Sequence, residues 1–310
     1  NAALTDSIAD IGRAMSPWVG PERMLSFSAP SGRWEAVAAN LWRARAGELL
    51  REAFIAAQKP DIVHVSRLFE GLLDDAHTSI GRYRNDIATA VTLYDLIPLL
   101  RPDKYLSDPA VRDWYYRKLQ SLKNARLLLA ISAYSRTEAI EALAVPAERI
   151  VNIGLSIDAH FERMEPAPER RFALQQRLGL RRPFLMYTAG DDERKNVPAL
   201  ISAYALLPSA IRAQHQLLII CHGTIQMRQK LLRHAAASDM ADDELVLLSE
   251  FVADDDLIAL YSSCRLFVFP SLHEGFGLPV LEAMACGPPV LASNTTTLPE
   301  VVGSADALFH

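Results

Sequence analysis

The chain has 310 residues, of which 50 % are hydrophobic and 22 % are charged, so it is long enough for two globular domains with substantial cores. This composition excludes an intrinsically disordered chain. The formal net charge of -5 is not sharply polarised between the two halves, which argues against a nucleic-acid partner.

Short apolar runs rich in β-branched residues predict buried strands, and longer segments with helical periodicity predict helices between them. The predicted strands are Asp61–Val65, Ala88–Leu93, Leu127–Ile131, Ile150–Ile153, Phe184–Tyr187, Leu217–Ile220, Leu245–Leu248, Leu266–Phe269 and Val290–Ala292. The predicted helices are Trp34–Gln58, Ala110–Asn124, Ser135–Leu143, Val197–Leu206, Gln226–Ala237, Asp254–Ser262 and Pro279–Ala285. Strands that alternate with helices indicate an α/β protein with parallel sheets and crossover helices on both faces.

A polar stretch marked by prolines, EPAPE at residues 165–169, is the best candidate for a linker. The sequence therefore predicts one α/β domain over residues 1–165 and a second over residues 166–310. Ligands of open α/β sheets bind beyond the carboxyl ends of the strands. We therefore expect the functional residues in the loops that follow the strands.

The stretch HEGFGLPVLE, residues 273–282, follows one of these strands and opens a helix. Gly275 and Gly277 allow a tight turn and leave room for a ligand beside the backbone. Pro279 suits the first turn of a helix, where its missing N–H costs nothing. Free N–H groups at such a helix start form a site suited to a phosphate.

Two glutamates flank this predicted anion site. Glu274 and Glu282 are placed to accept hydrogen bonds from hydroxyl groups on either side of a phosphate. For Glu282 the alternative is structural, because acidic residues are favoured in the first turn of a helix by its dipole. Glu274 gains no such benefit beside two glycines. His273 stays open between a direct role and a turn residue.

A second polar loop, TAGDDERKN at residues 188–196, follows the predicted strand that ends at Tyr187. Asn196 is a plausible N-cap of the next helix, and Arg194 and Lys195 stand beside that helix start, where cations neutralise a diphosphate. The alternative is a solvated charged turn. A third loop, SNTTTLPE at residues 293–300, is rich in hydroxyls that can hydrogen-bond a phosphate, but most of its residues are interpreted as a capping segment.

Other features of the sequence limit the chemistry. The three cysteines, Cys221, Cys264 and Cys286, lack CxxC spacing and are predicted to be buried thiols in a reducing compartment. The eight histidines show no HxxxH or HExxH pairing, so we expect no metal site. No signal peptide and no apolar run of about 18 residues is visible, which predicts a cytoplasmic protein.

In this context the loops resemble the retaining glycosyltransferases of the two-Rossmann-domain (GT-B) type, family 4. The pattern Glu274 to Glu282 carries the likeness, together with its flanks from FVADDD to LPEVVG and three landmarks of the first domain, VTLYDLIPLL, AISAYSRTEAI and VNIGLSIDAHF. The resemblance implies two Rossmann-like domains whose parallel sheets face each other across a cleft. The chain is most similar to bacterial members that build surface polysaccharides and lipopolysaccharide O-chains.

The resemblance also implies roles for the loop residues. Arg194 and Lys195 would bind the donor diphosphate, Glu282 would hold the nucleotide ribose, and Glu274 would contact the donor sugar and stabilise positive charge in the transition state. Backbone amides at the helix start would help to bind the diphosphate, and the backbone near Phe251 and Val252 would meet the base. The remaining residues expected to bind the donor are Tyr94, Gly190, Gly275, Phe276, Gly277 and Leu278.

Retention in this family needs no strong nucleophile, so catalysis would depend on positioning and charge stabilisation. The donor would be a nucleoside-diphosphate sugar, GDP-mannose or a UDP-sugar, and the acceptor a growing glycan or a polyprenyl-linked saccharide. No cofactor and no metal is required, because arginine and lysine neutralise the leaving group.

The sequence departs from the family in two ways. Many relatives have a histidine before the aspartate in the loop that faces the donor, whereas this chain has Tyr94 and Asp95. Asp95 is the candidate for a catalytic role there, with packing or capping as the alternative. The family's opening strand is not recognisable in NAALTDSIADIGRAMSPW, and its last helices would lie beyond His310, so we expect a chain truncated at both ends.

The segment from Arg112 to Lys123 combines basic and aromatic residues and is a candidate for contact with the inner surface of the membrane. The alternative is that it buries its aromatic side.

The sequence thus predicts a retaining hexosyltransferase, and a non-catalytic nucleotide-sugar-binding domain of a larger glycan-assembly protein is the second hypothesis. A related epimerase or phosphorylase is disfavoured, because we identify neither a pyridoxal-phosphate site nor a suitable general base.

Overall fold

The computed structural model describes residues 12–27, 29, 41–165, 167–190 and 192–310. The chain divides into two compact units. The first contains Glu138–Val151 and the described residues before Ile131, and the second contains Ile131–Thr137 and Asn152–His310. These units differ in extent from the domains predicted on either side of residue 165, because residues 152–165 pack with the second unit.

The first unit is built on a sheet in the order β1-β2-β3-β4, in which β2 pairs in parallel with both β1 and β3. Its strands are β1 Ile62–Val65, β2 Ala88–Leu93, β3 Leu127–Ala130 and β4 Ile150–Asn152. Its helices are α1 Leu41–Ala57, α2 Ile97–Leu100, α3 Pro102–Tyr105 and α4 Pro109–Asn124, followed by α5 Ala133–Leu143, which begins in the second unit. The core lies where α4 packs on the sheet, with Val91, Leu122 and Leu128 fully buried.

The second unit is built on a larger sheet in the order β10-β9-β8-β5-β6-β7, in which all neighbouring strands are parallel. Its strands are β5 Phe184–Gly190, β6 Gln216–His222, β7 Leu245–Leu248, β8 Leu266–Phe269, β9 Val290–Ser293 and β10 Leu308–Phe309. Its helices are α6 Pro168–Leu178, α7 Val197–Ala205, α8 Ser209–Arg212, α9 Ile225–Ala237, α10 Asp254–Ser263, α11 Leu278–Cys286 and α12 Leu298–Val302. The central strands are buried on both faces, as parallel crossover topology requires.

The predicted α/β alternation is confirmed, with local corrections. The predicted loop at residues 188–196 begins too early, because Thr188, Ala189 and Gly190 extend β5 and pair with Ile220, Cys221 and His222 of β6. The proline-marked stretch is not only a linker, because Pro168 opens α6, where proline is favoured at the first position. Of the predicted helix Trp34–Gln58, residues 34–40 lie outside the described residues, and α1 accounts for the rest.

Helix α4, proposed from sequence for membrane contact, buries two of its three aromatic side chains and leaves that of Tyr116 exposed. Trp114 and Tyr115 are buried, and the Tyr115 ring stacks on Phe69 with centroids 5.0 Å apart. Lys118 is also buried and its Nζ donates a hydrogen bond of 2.8 Å to Thr78. The packing alternative therefore holds for these three side chains of α4, and contact with a membrane stays a prediction.

A search of the described residues for membrane spans finds no helix with the length and apolar character needed to cross a bilayer.

Candidate functional site

The candidate site lies at the carboxyl edge of the second sheet. Strand β5 ends at Gly190, β8 at Phe269 and β9 at Ser293, and parallel pairing places these ends on one edge. The two loops singled out from the sequence follow β5 and β8, which are neighbours in the sheet. Strand order thus brings together two loops that are far apart in the chain.

The cationic pair lies in a short 3₁₀ helix, Glu193–Lys195, between β5 and α7. The Asp192 carboxylate caps this turn by accepting a hydrogen bond of 3.0 Å from the N–H of Arg194. Asn196 does occupy the N-cap position of α7, but it adopts the left-handed conformation (φ 56°) and its side chain makes no capping bond. Capping by the Asn196 side chain, as predicted, is therefore wrong. Residue 191 lies outside the described residues.

Glu274 joins both cations. Its Oε2 lies 2.9 Å from Arg194 Nη1, and its Oε1 lies 2.7 Å from Lys195 Nζ. The Glu274 side chain is 8 % exposed, and those of Lys195 and Arg194 are 12 % and 22 % exposed. The sequence predicted that these residues would contact one ligand, and the structure shows that they contact one another.

Hydrogen bonds between the two loops fix this arrangement. Arg194 Nη1 donates to the carbonyl of His273 at 2.7 Å, and the N–H of Leu272 donates to the carbonyl of Arg194 at 2.7 Å. The Lys195 ammonium also lies 5.5 Å from the centre of the Phe269 ring, within cation–π range. The cations are therefore held by the β8 loop as well as by their own turn.

Hydroxyl groups that sequence reasoning did not select hold the carboxylate in place. The buried Ser271 Oγ donates to Glu274 Oε1, and Thr296 Oγ1 accepts a hydrogen bond of 3.1 Å from the N–H of Glu274. Ser293 and Thr295 both donate to the carbonyl of Ser271, Thr295 at 2.9 Å. The hydroxyl-rich third loop therefore braces the β8 loop. The prediction that it serves mainly as a cap is wrong, because Thr297, the N-cap of α12, makes no side-chain capping bond.

Helix α11 begins at Leu278 directly after this loop. Gly277 is its N-cap, with φ 106° and ψ 46°, a conformation that favours glycine, and Pro279 lies in the first turn. Gly275 lies in the bend that precedes Gly277, but it is not among the glycines with positive φ. Its carbonyl instead accepts hydrogen bonds from Ser132 Oγ at 2.9 Å and Ser135 Oγ at 3.2 Å.

The start of α11 offers backbone donors. Among the described residues, the N–H groups of Phe276, Gly277 and Leu278 have no hydrogen-bond acceptor. Unbonded N–H groups at a helix start carry partial positive charge and attract anions. These donors are compatible with the predicted anion site, and binding of an anion there stays a prediction.

Glu282 lies one turn inside α11 and is half-buried. Its Oε2 accepts a hydrogen bond of 3.0 Å from the hydroxyl of the fully buried Tyr261. Burial raises the pKa of the Glu282 carboxyl above its usual value, and the Tyr261 hydrogen bond partly offsets this rise. The hydrogen bond from Tyr261 thus holds the Glu282 carboxylate in place. A glutamate that served only to interact with the helix dipole would not need this contact.

Phe251 and Val252, which the resemblance assigns to the nucleotide base, both lie after β7. The Phe251 side chain is 79 % exposed, and its ring centroid lies 6.4 Å from that of His222 at the end of β6. Val252 is half-buried and packs against the core of the unit. Gly190 is exposed, and a Cβ added there would meet nothing within 4 Å. An exposed ring near an open strand end is compatible with base stacking, and the roles of these residues stay predictions.

Tyr94 and Asp95 lie in the first unit, after β2, on the wall of a cavity of about 250 Å³ that Arg67, Glu70 and Trp114 also line. Asp95 Oδ1 accepts a hydrogen bond of 3.1 Å from the N–H of Ile97 at the start of α2. Asp95 therefore has the capping contact named as the alternative. A catalytic role for it stays a prediction.

His273 is buried and meets the ring of Tyr134 edge-on, with centroids 5.9 Å apart. A direct role for His273, and the alternative of a turn residue, both stay predictions. Within the described ranges, no group of three or more histidine, cysteine, aspartate or glutamate side chains is arranged to hold a metal ion. That the reaction needs no metal stays a prediction.

Comparison with known proteins agrees with the geometry. Residues 171–310 match the family described as "Glycosyl transferases group 1". The serotype-specific mannosyltransferase WbdA of Escherichia coli is 38 % identical over 305 residues, which are 98 % of this chain and 37 % of that protein. The O-antigen chain mannosyltransferase B of Escherichia coli is 36 % identical over 216 residues, which are 70 % of this chain and 56 % of that protein. The chain thus spans little more than a third of WbdA.

Solved structures share the fold. The structure titled "Trehalose-6-phosphate from E. coli bound with UDP-2-fluoro glucose" has a TM-score of 0.67 and 16 % identity, covering 88 % of this chain and 68 % of that one. WaaG, a glycosyltransferase involved in lipopolysaccharide biosynthesis, has a TM-score of 0.64 and 16 % identity, covering 92 % of this chain and 72 % of that one. The chain therefore has the GT-B glycosyltransferase fold, and its residues 171–310 are a glycosyl transferases group 1 domain.

Proposed function

We propose that this chain binds a nucleoside-diphosphate sugar in its second unit and transfers a hexose, with retention, to a growing glycan or a lipid-linked acceptor. The observation that carries the proposal is the convergence of Arg194, Lys195 and Glu274 beside the start of α11. Both relatives named above are mannosyltransferases, one of them of an O-antigen chain, and this supports mannose as the sugar. We propose GDP-mannose before a UDP-sugar as the donor.

The charges around the cations explain how a diphosphate would be held. Arg194 and Lys195 carry two positive charges, and Glu274 and Asp192, the latter 3.8 Å from the Arg194 Nε, carry two negative charges. These groups sum to zero, so attraction by net charge is small. Recognition would therefore depend on oriented donors, namely the guanidinium and ammonium groups and the free N–H groups of α11.

In the proposed reaction, the bond between the anomeric carbon and the diphosphate oxygen breaks. The acceptor oxygen forms its bond to the same carbon on the same face. The acceptor proton passes to a phosphate oxygen of the leaving nucleoside diphosphate. Arg194 and Lys195 would stabilise the charge that develops on that leaving group, and Glu274 would stabilise positive charge on the sugar.

Glu282 would accept hydrogen bonds from the ribose hydroxyls, with Tyr261 holding the carboxylate in place. A carboxylate that is half-buried and already oriented loses little conformational entropy on binding. Glu282 is therefore proposed to set nucleotide affinity, whereas Lys195 is proposed to act on the transfer rate.

The test combines calorimetry with an assay of donor consumption. Titration with GDP and UDP identifies the base, and Glu282→Ala is expected to weaken the preferred nucleotide by about tenfold or more. Glu169→Ala, which removes an exposed carboxylate from the first turn of α6, is the control and is expected to bind normally. Unchanged affinity in Glu282→Ala would refute the assignment of the ribose site.

The same protein, given GDP-mannose and glycan acceptors, is expected to release nucleoside diphosphate slowly without acceptor and faster with it. Tight nucleotide binding with no release under any condition would favour the second hypothesis, a binding domain without catalytic activity.

A further inference from the structure

The second unit has a cavity at the amino edge of its sheet. It measures about 580 Å³, and its wall includes Phe184 at the start of β5 and Pro289 just before β9. The candidate donor site lies at the carboxyl edge of the same sheet. The two sites are therefore separated by the length of the strands. A volume of this size is typical of a small-molecule site.

Arginines dominate the wall of this cavity. Arg163 precedes α6 and Arg171 lies within it. Arg181 and Arg182 precede β5, and Arg265 precedes β8. No aspartate or glutamate lines it. In a chain with a formal net charge of -5, such a grouping of one sign is a local feature and does not follow from the composition.

Two of these arginines have internal partners. Arg182 pairs with Asp243 at 3.1 Å and donates to backbone carbonyls, so it is a structural residue. Arg163 lies 3.8 Å from Glu165, and its side chain also packs close to Gly287, where an added Cβ would meet Arg163 Cδ at 3.1 Å.

The other three, Arg171, Arg181 and Arg265, are exposed, and their guanidinium groups pair with no carboxylate in the part of the chain that the structure describes. Like charges held in one cavity repel each other unless an anion screens them. The helices α6, α10 and α11 end near this edge, and each contributes about half a negative charge. Those partial charges neutralise the arginines only in part.

We infer that this cavity is a second anion site, which binds a ligand with more than one phosphate group. Guanidinium groups match phosphate oxygens with paired hydrogen bonds, and several of them around one cavity select for multiple negative charges. Ser262 and Ser263 also line this cavity. The source of the phosphates is either a soluble oligophosphate or the headgroup of an anionic lipid.

The test compares two double variants of the full chain. Arg181→Gln/Arg265→Gln removes two unpaired cations from the cavity. Arg228→Gln/Arg233→Gln removes two exposed arginines of α9 and changes the net charge equally. Lys195→Gln removes a cation of the donor site. All are first checked for a cooperative melting transition.

Calorimetry with inorganic tripolyphosphate tests the soluble source. We expect binding that weakens by at least about tenfold in Arg181→Gln/Arg265→Gln and persists in Arg228→Gln/Arg233→Gln and in Lys195→Gln. Co-sedimentation with phosphatidylglycerol vesicles, against phosphatidylcholine vesicles, tests the lipid source. Binding of these vesicles that is lost in the cavity variant alone would also support the site and would assign it to lipid.

The inference is overturned if neither probe distinguishes the cavity variant from the α9 variant, because binding would then follow net charge alone. It is also overturned if tripolyphosphate binding disappears only in Lys195→Gln, because the anion would then occupy the donor site. A failure here leaves the proposed transferase function unaffected, since that function depends on the opposite edge of the sheet.

Discussion

Lys195 Nζ lies 2.7 Å from Glu274 Oε1, although the two residues are 79 positions apart in the chain. The contact exists because β5 and β8 are neighbours in the sheet, so the loops that follow them meet. A buried carboxylate between two cations orders both of them before any ligand arrives. This pre-organisation lowers the cost of binding a diphosphate, although the ligand must compete with the carboxylate for the same donors.

Glu274→Gln is expected to lower the free energy of unfolding by about 3 kcal/mol, because it removes the counter-ion of two largely buried cations and keeps the shape of the side chain. Nucleoside diphosphate supplies negative charge to the same cations. We therefore expect the nucleotide to raise the melting temperature of Glu274→Gln more than that of the wild type, measured by differential scanning calorimetry.

Glu244→Gln is the matched control for this prediction. Glu244 is also buried and pairs with Arg212 at 2.8 Å, but the pair lies near the start of β6, away from the candidate site. This variant is expected to lose stability without any change in the nucleotide-induced shift. Equal shifts in the two variants would contradict a diphosphate at Arg194 and Lys195.

Gly277→Ala is expected to destabilise the second unit by about 2 kcal/mol, because φ is 106° and a Cβ there would lie 2.7 Å from Leu298 Cδ2. Gly303→Ala provides the comparison, since φ is 68° and its Cβ would meet nothing within 4 Å. That variant is expected to cost about 1 kcal/mol from backbone strain alone. Urea denaturation measures the free energy of unfolding of both variants. Equal losses of stability would show that the side chain of Leu298 moves away from the added Cβ at little cost.

Tyr261→Phe is expected to change the pH dependence of nucleotide binding. Burial raises the pKa of Glu282, and the hydrogen bond from Tyr261 lowers it, so loss of the hydroxyl raises that pKa further. Ribose hydroxyls donate stronger hydrogen bonds to an ionised carboxylate than to a neutral carboxyl group. Affinity should therefore fall as the pH drops through the pKa of Glu282, and it should fall at a higher pH in the variant than in the wild type. Identical pH profiles from calorimetry would exclude Glu282 from the nucleotide site.

The thiols of Cys264 and Cys286 are expected to resist alkylation in the folded protein. Burial raises the pKa of Cys264 to about 12 and that of Cys286 to about 11. Iodoacetamide reacts with the thiolate, so labelling at neutral pH should be slow and should accelerate in urea. Mass spectrometry after timed labelling measures the rates at each cysteine. Equally fast labelling in the folded and unfolded protein would contradict the burial of these side chains.

Much of the candidate site was predictable, because its main residues follow apolar strands. Glu274, Arg194 and Lys195 were selected from local patterns of strand, turn and helix start. Ser271, Thr296 and Tyr261 were not, because an isolated serine, threonine or tyrosine carries no periodic signal. Two features of the sequence could have indicated these contacts, namely the serine just after β8 and the run of hydroxyl-bearing residues after β9.

By itself the sequence determined the alternation of strands and helices, the position of the turns and the residue types offered at each strand end. These depend on periodicity and on the conformational limits of glycine and proline, which act over a few residues. The tertiary structure alone decided that Glu274 pairs with both cations, that Glu282 bonds to Tyr261, and that Asp95 bonds to the first N–H of a short helix. Such contacts depend on strand order and burial, which join residues that no local pattern relates.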